Sequence, residues 1–139
     1  MINKNRLELK MGKKVVFVDD SATVLMSAEM ALEPLIENGT IELVTYNNPV
    51  ELLDDITQGK IVYDILVTDV NMPQMYGLEL VENIKKIPQF KARPILALTT
   101  ENSDEIKAEG KRVGLNGWIT KPFSSEKIIT AIQRVLKLR

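Results

Sequence analysis

Residues 15–39, VVFVDDSATVLMSAEMALEPLIENG, change hydrophobic period once, at Asp19-Asp20-Ser21. Val15 to Val18 are β-formers bounded by charge, the pattern of a strand buried on both faces rather than one with a wet side. From Ser21 onward the apolar residues fall at Val24, Leu25, Ala28, Leu32, Leu35 and Ile36. That spacing is helical, and Asn38-Gly39 supplies a stop. Pro34 lies inside the helix and is expected to kink it or shorten its last turn.

The same alternation continues through the rest of the chain. Ile41 to Tyr46 reads as a second strand, and Asn47-Asn48-Pro49 as the turn into a helix through Leu52, Leu53 and Ile56 to Gly59. Ile65 to Thr68 is a third strand ending at Asp69, followed by the loop VNMPQMYG and a helix carrying Leu78, Leu80, Val81 and Ile84. Pro94 to Thr99 forms a fourth strand, and a polar helix spans about 104–113, weakened by Gly110. Trp118 to Thr120 is a short fifth strand that stops at Lys121-Pro122. Ser124 opens the last helix, whose apolar face is Ile128, Ile129, Ile132, Val135 and Leu136; Lys137 and Arg139 sit near the negative end of its dipole. Parallel strands need crossovers, and right-handed helical crossovers cover both sheet faces. The expected fold is therefore a doubly wound, three-layer α/β domain over residues 14–139. Residues 1–13 are charged, with a short apolar alternation, and read as a tail or a short extra strand.

Composition removes several function classes. The chain has 139 residues, 19 acidic and 18 basic side chains and a formal net charge of -1, which fits one domain without the basic stripe of a nucleic-acid binder. It has no cysteine and no histidine. Thiolate nucleophiles, histidine-based triads and nitrogen or sulfur zinc sites are thereby excluded, so a bound metal would have oxygen ligands. The longest charge-free run is nine residues, Val70 to Leu78, too short for a membrane span, and the start lacks the apolar core of a signal peptide. A cytoplasmic protein without membrane insertion is expected.

The polar strand endings carry the chemistry. Asp19 and Asp20 follow strand 1, Asp69 follows strand 3, Thr99 ends strand 4 and Lys121 follows strand 5. Open α/β sheets bind ligands beyond the carboxyl ends of their strands, where the strand order reverses. With strands 1 and 3 adjacent there, three carboxylates would share one crevice and repel unless a cation joined them. Hard oxygen ligands in that number suit Mg²⁺, and Lys121 can offer a second positive charge to an incoming anion. Taken singly, Asp69 and Thr99 read as caps or turn residues and Lys121 as a surface lysine. Their joint placement at strand ends is what points to a site.

Four segments carry a family resemblance: VVFVDDS at 15–21, ILVTDVNMPQMYG at 65–77, PILALTTE at 94–101 and GLNGWITKPFS at 114–124. The chain resembles the receiver domains of two-component response regulators, in the stand-alone form used in chemotaxis, from Lys14 to Leu138. The resemblance implies a flavodoxin-like sheet in the order 2-1-3-4-5. It implies a phosphoryl group on Asp69, Mg²⁺ bound directly by Asp20, Asp69 and the Asn71 carbonyl, and Asp19 acting mainly through water. Thr99 and Lys121 would contact the phosphoryl oxygens, Asn71 and Glu101 would flank the hydrolytic water, and Trp118 would occupy the switch-aromatic position. Lys121-Pro122 matches the family's cis bond. Three residues depart from the pattern: Thr100 in place of alanine or glycine, Tyr76 in place of a small or acidic residue, and Gly110 in the helix after strand 4; the indole of Trp118 is also larger than the usual tyrosine or phenylalanine.

The implied partners are a sensor histidine kinase or histidine phosphotransfer domain as donor and a flagellar motor-switch protein as target, with the chain a monomer or weak dimer. No output domain follows Arg139 in the sequence, so output is expected from the domain's own surface. It would not be a conventional metabolic enzyme, although it is expected to catalyse its own phosphorylation and dephosphorylation. A phosphorelay intermediate would use the same acceptor site. Two further readings are weaker. A non-phosphorylated adaptor would not need Asp19, Asp20, Asp69, Thr99 and Lys121 together. A flavin-binding or hydrolytic α/β protein would need the glycine-rich cradle, the nucleophile elbow or the histidine that this chain lacks.

Overall fold

The computed structural model describes residues 12–137. Five strands alternate with five helices: β1 (Lys13–Val18), α1 (Ala22–Glu37), β2 (Ile41–Tyr46), α2 (Pro49–Thr57), β3 (Ile65–Asp69), α3 (Gly77–Lys85), β4 (Ile95–Thr99), α4 (Asp104–Val113), β5 (Gly117–Thr120) and α5 (Ser125–Leu136). The sheet is wholly parallel in the order β2-β1-β3-β4-β5, as the sequence led us to expect. Of the expected tail or extra strand over residues 1–13, all but Gly12 and Lys13 lies outside the described residues, as does Arg139. Lys13 already pairs with Ile41, so the first strand starts before the apolar run.

Side-chain alternation sorts the core into two layers. Val15, Phe17, Ile65, Val67, Leu96, Leu98 and Ile119 face α1 and α5, packing on Leu25, Ala28, Leu32, Ile128 and Ile132. Val16, Val18, Leu66, Ile95 and Ala97 face the other way, onto Leu52, Ile56, Leu80, Val81, Ile84 and Val113 of α2, α3 and α4. Every residue of β3 and β4 is buried, which explains why those strands read as continuous apolar runs.

Side-chain caps start four helices: Ser21, Asn48, Ser103 and Ser124 accept hydrogen bonds from the first-turn amides of α1, α2, α4 and α5. Helix α1 runs through Pro34 to Glu37, so its last turn is not shortened. Pro34 is exposed, and so is Met30, whose carbonyl loses its helical donor to the proline ring. Water can satisfy that oxygen. A short 3₁₀ turn at Pro88–Phe90, unforeseen in the sequence, stacks Phe90 on the buried ring of Tyr63 at 5.1 Å.

Gly110 has a packing reason. A Cβ there would stand 2.5 Å from Cζ2 of Trp118 and 2.8 Å from Cδ1 of Leu115, so the missing side chain makes the notch that seats the indole against α4. At an exposed helix position, glycine to alanine would stabilise by about 1 kcal/mol. Here Gly110→Ala is expected to destabilise by about 1–2 kcal/mol through overpacking. Adding Trp118→Phe should recover most of that loss in a denaturant-melt double-mutant cycle. Additive effects would show that the two residues do not share the space.

Candidate functional site

The carboxyl ends of β1 and β3 adjoin at the reversal in strand order, and the site is built there, with Lys121 reaching it from just past β5, beyond β4. Asp19 is fully buried at the end of β1, its Oδ1 held at 2.9 Å by the Ser21 amide where α1 begins. The start of that helix favours the negative charge. Asp20 follows it and is exposed. Asp69 closes β3 and is 6% exposed. Its Oδ1 accepts from the Val70 amide at 2.9 Å and faces Lys121 Nζ at 3.2 Å. Lys121, just past β5, also lies 2.8 Å from Asp19 Oδ2. The Lys121–Pro122 peptide is cis.

Carboxylate oxygens of Asp19, Asp20 and Asp69 lie within 4.8 Å of one another. Three carboxylates therefore face one ammonium. Burial, and then the charge of Asp19, raise the Asp69 pKa above the ordinary carboxylate value despite the opposing pull of Lys121. Burial pulls the Lys121 pKa down, but its contacts with Asp19 and Asp69 outweigh that and hold it above the usual lysine value. Asp19 Oδ2 is buried, and among the described residues its one close partner is Lys121 Nζ at 2.8 Å. An all-oxygen donor set with more negative charge than one ammonium can balance suits a hard cation. The cluster can coordinate a metal.

The other residues singled out in the sequence lie around this centre. Thr99 is buried at the end of β4, and its Oγ1 accepts from the Glu101 amide at 3.0 Å, which leaves its own proton free to donate. The exposed side chains of Asn71 and Glu101 join across the two loops, Asn71 Nδ2 donating to Glu101 Oε1 at 2.6 Å. Thr100 is exposed. Tyr76 keeps 36% of its surface, and its hydroxyl pKa is raised by partial burial and by the charges of Glu101 and Glu109. Trp118 is outside the carboxylate cluster, half-buried on the α4 side of the sheet.

Two supports were not apparent from the sequence. Ser21 serves the site as well as its helix, because its backbone amide orients Asp19. Gly77 lets α3 begin directly against the end of β3: its amide donates to the Val70 carbonyl at 2.7 Å, and a Cβ would collide with the carbonyl oxygen of Asp69. A glycine ending a Pro-containing loop was the available signal.

A five-stranded 2-1-3-4-5 sheet with an acidic triad and a lysine at its switch point defines the receiver class of signalling domain. Residues 15–133 match the family described as response regulator receiver domain, and the chain belongs to it. It is 30% identical to chemotaxis protein CheY-3 of Vibrio cholerae over 93% of this chain and 95% of that one. It is 31% identical to part of the Helicobacter pylori sensor histidine kinase CheAY, covering 89% of this chain but 15% of the kinase. The solved structure of Vibrio cholerae CheY4 superposes with a TM-score of 0.79 at 39% identity, covering 90% of this chain and 99% of that one. The protein is thus a phospho-accepting receiver that gains and loses its phosphoryl group at the aspartate cluster. No helix among the described residues is long and apolar enough to cross a membrane.

Proposed function

We propose that Asp69 is the phosphoacceptor of a Mg²⁺-dependent chemotaxis receiver, loaded from a phosphohistidine of a sensor kinase or phosphotransfer domain. The observation that carries this is the asymmetry of Asp69: Val70 N and Lys121 Nζ both engage Oδ1, so Oδ2 is the oxygen left for attack. Asp20 and Asp69, with the Asn71 carbonyl, would hold Mg²⁺ directly, and Asp19 would act through water. When bound, the ion supplies positive charge to the transferring phosphoryl oxygens.

Asp69 Oδ2 attacks phosphorus in line. The new P–O bond forms as the P–N bond breaks, and the donor imidazole leaves with the electron pair. Lys121 holds Oδ1 and lies where it can balance the phosphoryl charge, while Thr99 donates its hydroxyl proton to another phosphoryl oxygen. Hydrolysis returns the carboxylate, with Asn71 and Glu101 positioning the water. Thr99 movement toward the phosphoryl group shifts the packing of Trp118 against α4, and the surface of α4, β5 and α5 passes the change to a partner. Thr100 and Tyr76, at the rim, tune access and lifetime.

The names of the relatives support a chemotaxis role, and the kinase relative supports a histidine-kinase donor; a flagellar motor-switch protein as target is what the resemblance to stand-alone chemotaxis receivers implies. Titration calorimetry with Mg²⁺ tests the metal assignment: Asp20→Asn should lose affinity more steeply than Asp19→Asn, since a direct ligand outweighs one acting through water. Unimpaired binding by both would overturn it. Donor-driven labelling of the wild type should stop when a chelator removes the divalent ion.

A further inference from the structure

On the α1 side of the sheet, away from the carboxylates, lies a surface groove of about 320 Å³. Met30, Ile36 and Leu43 line it between α1 and the edge strand β2, and Glu29 and Glu33 form its rim. Met30 is 71% exposed, and Met26 one turn before it is 64% exposed. Two methionines so open on one helix are an unusual solvation cost for a monomer surface, and a flexible thioether lining suits a docked apolar side chain. Glu29, Glu33 and Glu37 recur at helical spacing along the same face. Among the described residues none of the three is paired with a cation, and Glu33 raises the pKa of Glu37.

We propose that this groove receives residues 1–11 of the same chain. Gly12 lies against the start of the edge strand: a Cβ on it would stand 2.5 Å from the carbonyl of Thr40. The chain therefore enters the domain at the amino end of β2, which Leu43 shares with the groove. Eleven extended residues reach at most about 40 Å, whereas the face from Met26 to Glu37 spans roughly 16 Å of helix. The composition of the segment is complementary. In Arg6-Leu7-Glu8-Leu9-Lys10 the leucines alternate with polar residues, so both can point into the groove, and Lys4, Arg6 and Lys10 bring the cations that the glutamate face lacks. The outer backbone of β2 also has no strand beside it among the described residues, which gives an extended segment hydrogen-bonding partners.

Methionine oxidation footprinting of the full chain tests the proposal. With dilute peroxide, Met30 in the wild type should oxidise at least about threefold more slowly than in a Leu7→Ser/Leu9→Ser variant, the ratio for a segment docked two-thirds of the time. The protection should not change on tenfold dilution. Carbodiimide coupling should join Lys4 or Lys10 to Glu29 or Glu33 within monomeric protein, and this link should fade in high salt. Equal oxidation rates overturn the proposal. So does protection that is lost on dilution, or coupling confined to dimers, either of which would make a second copy the occupant.

Discussion

Asp69→Asn is expected to gain no phosphoryl mass when incubated with Mg²⁺ and acetyl phosphate, while the wild type gains one group that maps to Asp69. An amide oxygen is a far poorer nucleophile than a carboxylate, and the asparagine side chain also weakens the metal cluster. Full labelling of the variant, or a wild-type product elsewhere, would defeat the assignment of Asp69. The same substitution should have the opposite effect on stability. Asp69 has a native-state pKa raised above its unfolded value, chiefly by burial and by Asp19. The native state then binds that proton more tightly than the unfolded chain does. Its favourable contribution is fully present below the unfolded pKa and is lost as pH rises through the raised native pKa. At neutral pH the charged Asp69 opposes folding in metal-free protein. Metal-free Asp69→Asn should therefore melt above the wild type at pH 7, with the difference shrinking in acid. A variant that is inactive yet more stable is the signature of charge gathered for chemistry rather than for folding.

Gly77→Ala should be the most damaging small substitution outside the acidic cluster. Its Cβ would collide with the carbonyl oxygen of Asp69 and crowd Val70 Cα at 2.8 Å. Those neighbours are backbone at the end of a buried central strand, so no side chain can rotate away. Relief requires moving α3 from β3 or displacing Asp69 from Lys121. We expect a loss of about 3 kcal/mol, or roughly 10 °C in Tm for a domain of this size. Mg²⁺ affinity should fall as well, since the shift acts on a proposed ligand. A variant with wild-type Tm and metal affinity would show that α3 does not start against Asp69. Gly110→Ala provides a contrast, because there the obstacle is the movable indole of Trp118.

The alternation of buried strands and amphipathic helices was legible in the chain because its periods are local: charge-bounded apolar runs such as Val15 to Val18, and helical spacing such as Ile128, Ile129 and Ile132. The site residues were legible for a related reason, since strand ends in a parallel sheet share one rim, and a polar residue ending each apolar run marks it. Pro34 leaves the helix at full length, an outcome that depends on whether the deprived carbonyl meets water, which is a matter of burial. Gly110 read as a helix weakness until the indole of Trp118 was found beside it. Likewise, the asymmetric grip on Asp69, the burial of Asp19 beside an exposed Asp20, and the Asn71–Glu101 bond were beyond sequence reading. The sequence by itself determined which side chains stand at the carboxyl rim of the sheet, because residue type and period are properties of short segments. Tertiary structure alone decided which oxygen each presents and what holds it, because those depend on register and packing between segments far apart in the chain, where ångströms separate an ion pair from two solvated charges.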